Sequence, residues 1–151
     1  MTSHIRRATS DDLNALAALF DGYRVFYAQP SDPAAARAFL AARLQHAQSV
    51  ICIAERDDGS ATGFTQLYPM FSSLRMARVW ILNDLYVAAD ARRGGVAAAL
   101  LRAATDYARS DGALRLELET APDNAAAQAL YRALGWQPCD DARRFQLTLH
   151  S

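Results

Sequence analysis

The sequence predicts one α/β domain over residues 1–151, a mixed central sheet of six to seven strands flanked by about four helices. Three observations carry this prediction. Four stretches repeat their apolar residues at helical spacing, and short β-branched apolar runs separate them. Capping and turn sequences mark the changes of period, as at Thr9-Ser10-Asp11-Asp12, Asp57-Asp58-Gly59-Ser60 and Asp111-Gly112. At 151 residues the chain is also long enough to bury a real core.

Taken in order, residues 5–8 read as a short first strand, and Thr9 to Asp12 supply hydroxyl and acidic caps for a helix. Leu13, Leu16, Ala17 and Phe20 give that helix its apolar stripe, which Tyr23 and Tyr27 extend. Gln29-Pro30-Ser31-Asp32-Pro33 breaks the pattern, and Pro33 suits the first turn of a second helix carrying Phe39, Leu40 and Leu44. The period then changes. Residues 49–55 form a strand, residues 62–71 its hairpin partner, and residues 78–87 a longer apolar strand fit for the sheet centre. A glycine turn opens a helix over residues 94–110 with Val96, Leu100, Leu101, Ala104 and Tyr107 inward. Residues 114–120 alternate Leu with Arg or Glu as a strand. Pro122-Asp123-Asn124 caps a helix that ends at Gly135, and residues 143–149 form a last strand. The order is β-α-α-β-β-β-α-β-α-β.

Composition narrows the function. Apolar residues make up 52% and charged residues 21%, the balance of a soluble globular protein. Formal net charge is zero, which leaves no field to gather nucleic acid or an anionic membrane. No run approaches the ~20 apolar residues of a membrane span. The start, Met1-Thr2-Ser3-His4-Ile5-Arg6-Arg7, lacks the apolar stretch of a secretory signal, so the cytoplasm is the expected compartment. Cys52 and Cys139 stand far apart and His4, His46 and His150 are scattered, so no metal site is expected.

From residue 85 to 101 the chain reads Leu-Tyr-Val-Ala-Ala-Asp-Ala-Arg-Arg-Gly-Gly-Val-Ala-Ala-Ala-Leu-Leu. A glycine-bearing turn that runs into a helix leaves N–H groups unpaired and aimed at one spot, with the helix dipole behind them. Such a spot favours a phosphate or pyrophosphate, and Arg92 and Arg93 add fork-shaped donors. An ordinary strand–turn–helix connection fits the same residues. The strand at 114–120 follows a crossover helix and therefore runs parallel to residues 78–87. Ligands of open sheets bind outside the carboxyl ends of parallel strands. The turn at 88–95 and the segment Ala121-Pro122-Asp123-Asn124 both sit at such ends. Tyr131, two helical turns beyond Asn124, shares its side of the helix.

Arg92-x-x-Gly95-x-Ala97, preceded by Leu85-Tyr86-Val87, resembles the acetyl-CoA signature of the GNAT superfamily of N-acetyltransferases. Glu119-Thr120-x-x-x-Asn124-x-x-Ala127-x-x-Leu130-Tyr131-x-x-x-Gly135-Trp136 resembles that superfamily's second signature. The likeness is strong over residues 78–136, and Ala97 stands where many members carry glycine. It implies a GNAT fold and an acyltransferase with acetyl-CoA as co-substrate and no metal. The implied acceptor is a primary amine of a small molecule, polyamine- or amino-acid-like, or a peptide or protein lysine, attacking directly in a ternary complex. Backbone amides of Arg93, Gly94, Gly95, Val96, Ala97 and Ala98 would cradle the pyrophosphate, assisted by the Arg92 and Arg93 side chains. The backbone of Leu85, Tyr86 and Val87 would pair with the pantetheine arm, and an N–H there would polarise the thioester carbonyl. Asn124 would touch the pantetheine and Tyr131 would protonate the departing thiolate. Members often dimerise, so a homodimer is implied as well.

A phenol, with an ordinary pKa of ~10, is protonated at neutral pH and able to serve as that acid. The same Tyr131 also fits as the aromatic face of an amphipathic helix. For the base that takes the proton of the incoming amine, Glu119 is the first candidate and Asp84 the second. Glu117 shares a strand face with Glu119, and that face also reads as merely solvated. Tyr23, Phe26, Tyr27 and Trp80, with Tyr68 and Phe71, offer an aromatic wall for a cationic acceptor, or else ordinary core. A nucleotide-binding enzyme finds no support, since all 16 basic residues are Arg and no Walker lysine exists. A non-catalytic acyl-CoA-binding sensor would keep the same turn.

Overall fold

The apolar periods fold into a five-stranded sheet in the computed structural model, which describes residues 3–150. Met1 and Thr2, where the targeting-signal reading begins, and Ser151, the end of the expected domain, lie outside the described residues. Residues up to Glu119 make one compact unit and residues from Thr120 a second.

The first unit carries β1 (His4–Arg7), α1 (Leu13–Phe26), α2 (Pro33–Gln45), β2 (Val50–Glu55), β3 (Ala61–Ser72), β4 (Ala77–Val87), α3 (Val96–Ser110) and β5 (Arg115–Glu117). The strands lie in the order β1-β2-β3-β4-β5, antiparallel except that β5 runs parallel to β4 after the α3 crossover. Alternation along β2 divides the core. Ile51 and Ile53 pack with Leu16, Phe20 and Leu40 of α1 and α2, whereas Cys52 and Ala54 pack with Val96 and Leu100 of α3. Helices therefore cover both faces of this unit's sheet, and β2 is buried almost throughout.

Local chemistry fixes the entry to α1. Thr9 caps the turn Ser10–Asp12, and Asp12 returns its carboxylate to the Thr9 N–H. Arg6 donates to both Asp12 (2.7 Å) and Glu55 (2.9 Å), tying β1 to that turn and to β2. The Asp12 carboxyl is accordingly held below its ordinary range.

The second unit carries α4 (Ala125–Ala133), capped by Asn124 and closed at Gly135, whose φ of 92° suits glycine. The strand expected over residues 143–149 is not formed, and the described sheet has five strands rather than six to seven. Phe145, Leu147 and Leu149 alternate as a strand face would, yet each is at least 80% exposed. Alternation marks a half-buried strand only when a ladder and an apolar cover accompany it. The strand expected over 114–120 is likewise shorter, because its pairing with β4 covers only Val79–Ile81 opposite Arg115–Glu117.

Gly63 of β3 marks the closest approach of β3 to the end of β4. A Cβ there would stand 2.7 Å from the Tyr86 carbonyl oxygen, so the two strands fit only around glycine. Gly63→Ala is expected to lower stability by about 1–3 kcal/mol through this overpacking. A urea midpoint equal to that of the natural chain, at unchanged m, would contradict it.

Candidate active site

The site begins with an unpartnered edge. β4 pairs with β5 only as far as Ile81 opposite Glu117, so beyond it the β4 edge away from β3 meets no strand among the described residues. The Ala88 N–H reaches across to the Thr62 carbonyl at 2.8 Å. Backbone direction alternates in an antiparallel pair, so Tyr86 also faces β3, while Leu85 and Val87 turn their N–H and C=O outward. The Val87 carbonyl is indeed taken by the Arg92 Nε at 3.0 Å. An extended chain bearing amides can add to such an edge as a further strand.

Immediately after this edge comes the start of α3. Arg93 (φ 67°) and Gly95 (φ 79°) both adopt the left-handed conformation. Gly95 is the N-cap and supplies no side-chain acceptor, unlike Asp32 before α2 and Asn124 before α4. The N–H groups of Val96, Ala97 and Ala98 therefore open the helix with no capping side chain. A Cβ on Gly95 would meet nothing within 4 Å, so the space before them is open. Left-handed turns and a bare helix start together form an anion seat. Arg92 stands at its rim, with its guanidinium 5.5 Å from the Phe26 ring and 5.7 Å from the Tyr86 ring.

On the sheet face covered by α1 lies a buried polar group. Asp84 is 3% exposed. Its Oδ2 accepts from Gln66 Nε2 at 2.5 Å and its Oδ1 from Asn83 Nδ2 at 3.0 Å. The Tyr23 hydroxyl donates to the Asn83 carbonyl oxygen at 3.3 Å and stands close enough to Asp84 to favour its charged form. No ion pair among the described residues includes Asp84. Burial pushes its pKa up, against the pull of these donors. Burial and the nearby Asp84 also raise Tyr23, and push Tyr68 up to about 12, so both phenols stay neutral.

A bulge puts Asp84 there. Gln66 opposes Asp84 and Leu67 opposes Leu82, so Asn83 is an extra residue in β4. In an unbroken strand residues 80 and 84 would share a face. Instead Trp80 packs edge-on to Tyr107 of α3 and donates to Asp111 at 2.9 Å, while Asp84 faces α1. Trp80 is thus apart from Tyr23, Phe26 and Tyr27. Tyr23 stacks edge-on with Tyr27 (5.1 Å) and Tyr86 (6.3 Å), and Phe26 with Tyr27 (5.2 Å). Phe26 and Tyr27 are more than half exposed.

The remaining sequence candidates each have a local setting of their own. Glu117 is paired with Arg115 at 2.6 Å, and Glu119 is exposed at the end of the first unit. In the second unit Asn124 Oδ1 caps α4 through the Ala127 N–H at 3.2 Å, and the half-buried Tyr131 ring lies 6.2 Å from that of Trp136. Sequence reasoning missed Gln66 and Ser49, whose hydroxyl donates to Gln66 Oε1 at 2.8 Å. The available signal was a carboxamide in a mainly apolar strand, beside Thr65 and Leu67. Among the described residues no cluster of three His, Cys, Asp or Glu side chains could hold a metal ion, and no helix is long and apolar enough to cross a membrane.

Known proteins resemble this chain in sequence and fold. A protein of Bacillus subtilis named as an uncharacterized N-acetyltransferase is 50% identical over 134 residues, 89% of each chain. The crystal structure of a probable acetyltransferase superposes with a TM-score of 0.93 at 43% identity, covering 98% of this chain and 99% of the other. An aminoglycoside N-acetyltransferase solved in complex with CoA shares the fold at a TM-score of 0.79 and 22% identity, over 97% and 95% of the two chains. The acetyltransferase (GNAT) family matches residues 15–136, and with these relatives the chain belongs to that family and is an N-acetyltransferase.

Proposed function

We propose that this protein, a single N-acetyltransferase domain over residues 1–151, transfers the acetyl group of acetyl-CoA to a primary amine by direct attack in a ternary complex. The observation that carries the reading is the free edge of β4 running directly into the uncapped start of α3. The edge at Leu85 and Val87 suits the amides of pantetheine, and the amides from Arg93 to Ala98 suit the pyrophosphate. The CoA complex of the structural neighbour supports the same donor. Arg92 belongs to this seat through Val87, and its side chain is long enough to turn to a phosphate.

The acceptor is a small-molecule or peptide amine that arrives as a cation. Asp84 has no cationic partner and is the base in this reading, ahead of the exposed Glu119. Tyr23 and Tyr27 face the ammonium with their rings, and the Tyr23 hydroxyl connects it to Asp84. Once Asp84 takes the proton, the amine lone pair attacks the thioester carbonyl. An outward N–H of β4 stabilises the developing oxyanion. As the C–S bond breaks, Tyr131 protonates the thiolate sulfur, the second proton shed by the nitrogen restores the Tyr131 phenol, and Asp84 releases its proton to solvent. Free Cys52 and exposed free Cys139 suit the reducing cytoplasm.

Three outcomes test this. Gly95→Glu is expected to abolish acetyl-CoA binding in calorimetry, since a carboxylate would stand in the pyrophosphate seat and a side chain would be strained at φ 79°. Unaltered affinity in the folded variant would reject the seat. Tyr131→Phe should cut turnover about 100-fold or more while leaving acetyl-CoA affinity intact. A turnover number that does not change, with chemistry rate-limiting, removes Tyr131 as the acid. A base works only deprotonated, so kcat/KM for the amine should fall as pH falls through the Asp84 pKa, which burial sets above the ordinary carboxylate range. Thiol release from acetyl-CoA with an amine panel should show this acid limb, and Asp84→Asn should lose both the limb and most of the rate.

A further inference from the structure

Gln66 is 0% exposed and Ser49 6% exposed, yet both are polar and neither touches an ion other than through Asp84. A buried carboxamide is costly unless each end is bonded. Here each end is. Ser49, just before β2, donates its hydroxyl proton to Gln66 Oε1, which leaves Gln66 Nε2 directed at Asp84 Oδ2. The flipped amide would set Oε1 against the carboxylate, so the acceptor-only Asp84 selects the orientation that donates to it, and the Ser49 hydroxyl satisfies the Oε1 left at the other end. The chain runs from the start of β2 through β3 to β4, and it ends on the residue that follows the bulge.

We propose that Gln66, bonded at its far end by Ser49, is a positioning residue that fixes the Asp84 carboxylate and favours its ionised form between turnovers. This rests on the reading of Asp84 as the base. A methionine or leucine would fill the same space, so the polar chain adds control of Asp84 rather than packing. The other groups facing this carboxylate differ in kind. Tyr23 of α1 and Tyr68 of β3 are neutral phenols, Tyr27 packs edge-on to Tyr23, and Arg43 of α2 is the cation near Tyr68. Asn83 donates from its own strand to the other oxygen, Oδ1. Gln66 is thus the neutral donor that secures Oδ2 from inside the core.

The test is a carboxyl-carbon NMR titration of the full chain labelled at aspartate, with Asp84→Asn used to assign the Asp84 signal. Removing a donor to the charged form raises a carboxyl pKa. Gln66→Met is therefore expected to move the Asp84 midpoint up by about one to two pH units. Ser49→Ala should move it the same way by less, and Ser49→Thr, which keeps the hydroxyl, should restore it. The acid limb of kcat/KM for the best amine of the panel should follow the same order. A midpoint unmoved in Gln66→Met overturns the proposal, and Ser49→Ala against Ser49→Thr decides it if the methionine variant does not fold. Full turnover in Asp84→Asn would instead remove the base assignment, a result distinct from an unmoved midpoint.

Discussion

The ladder between β3 and β4 runs in register from Gly63 opposite Val87 to Gln66 opposite Asp84, then resumes at Leu67 opposite Leu82. Asn83 is left over, and one extra residue reverses the alternation of everything beyond it. Because of it, Asp84 and Tyr86 turn toward α1, and Leu85 and Val87 pack beside Val96 and Leu100 under α3. Without the bulge, a carboxylate would join Trp80 on the α3 side, far from the tyrosines that now surround it. The same reversal sets the Tyr86 ring against α1. Gly22 answers it: a Cβ there would stand 2.9 Å from the Tyr86 hydroxyl, which explains a glycine within a helix.

The second constraint is the supply of backbone donors. β4 loses its neighbour after Ile81, and α3 starts without a side-chain cap, so unused backbone groups gather along one continuous path. A protein that left such groups buried would lose stability for each one. Here they border open space at Gly95 instead. Arg93 holds a left-handed φ of 67° on the same turn, a conformation that costs a non-glycine residue of order 1 kcal/mol and recurs where backbone shape serves binding.

Much of this was legible in the residues. The helices, the first hairpin and the glycine turn each announce themselves by period or by cap, and they formed where expected because local preference and burial agree. The bulge was not legible, since an extra residue leaves apolar composition unchanged and shows only in pairing. Trp80 illustrates the result: the sequence offers it with Tyr23, Phe26 and Tyr27 as one aromatic wall, and the structure sets it on the α3 face, apart from them. Gln66 was hidden for a related reason. A polar residue in an apolar strand signals a partner, but only the register names Asp84 as that partner. The alternation of Phe145, Leu147 and Leu149 misled in the other direction, because it describes a face and not what would cover it.

The electrostatics of Asp84 connect these threads. An arginine beside it would lower its pKa, by roughly one to three units in typical cases, and so weaken it as a base. The arginines of the described ion pairs go elsewhere, to Asp12 and Glu55, to Asp90, and to Glu117. Asp84 is instead given neutral donors from Gln66 and Asn83, with the Tyr23 hydroxyl beside them. Burial strengthens its hold on a proton and the donors weaken it, so the two effects oppose each other at one carboxylate. A group balanced in this way attracts an ammonium more strongly than one already neutralised, and it also accepts that ammonium's proton more readily. In the proposed function, recognition of the amine and its activation both follow from one feature, a buried carboxylate left hydrogen-bonded but not ion-paired.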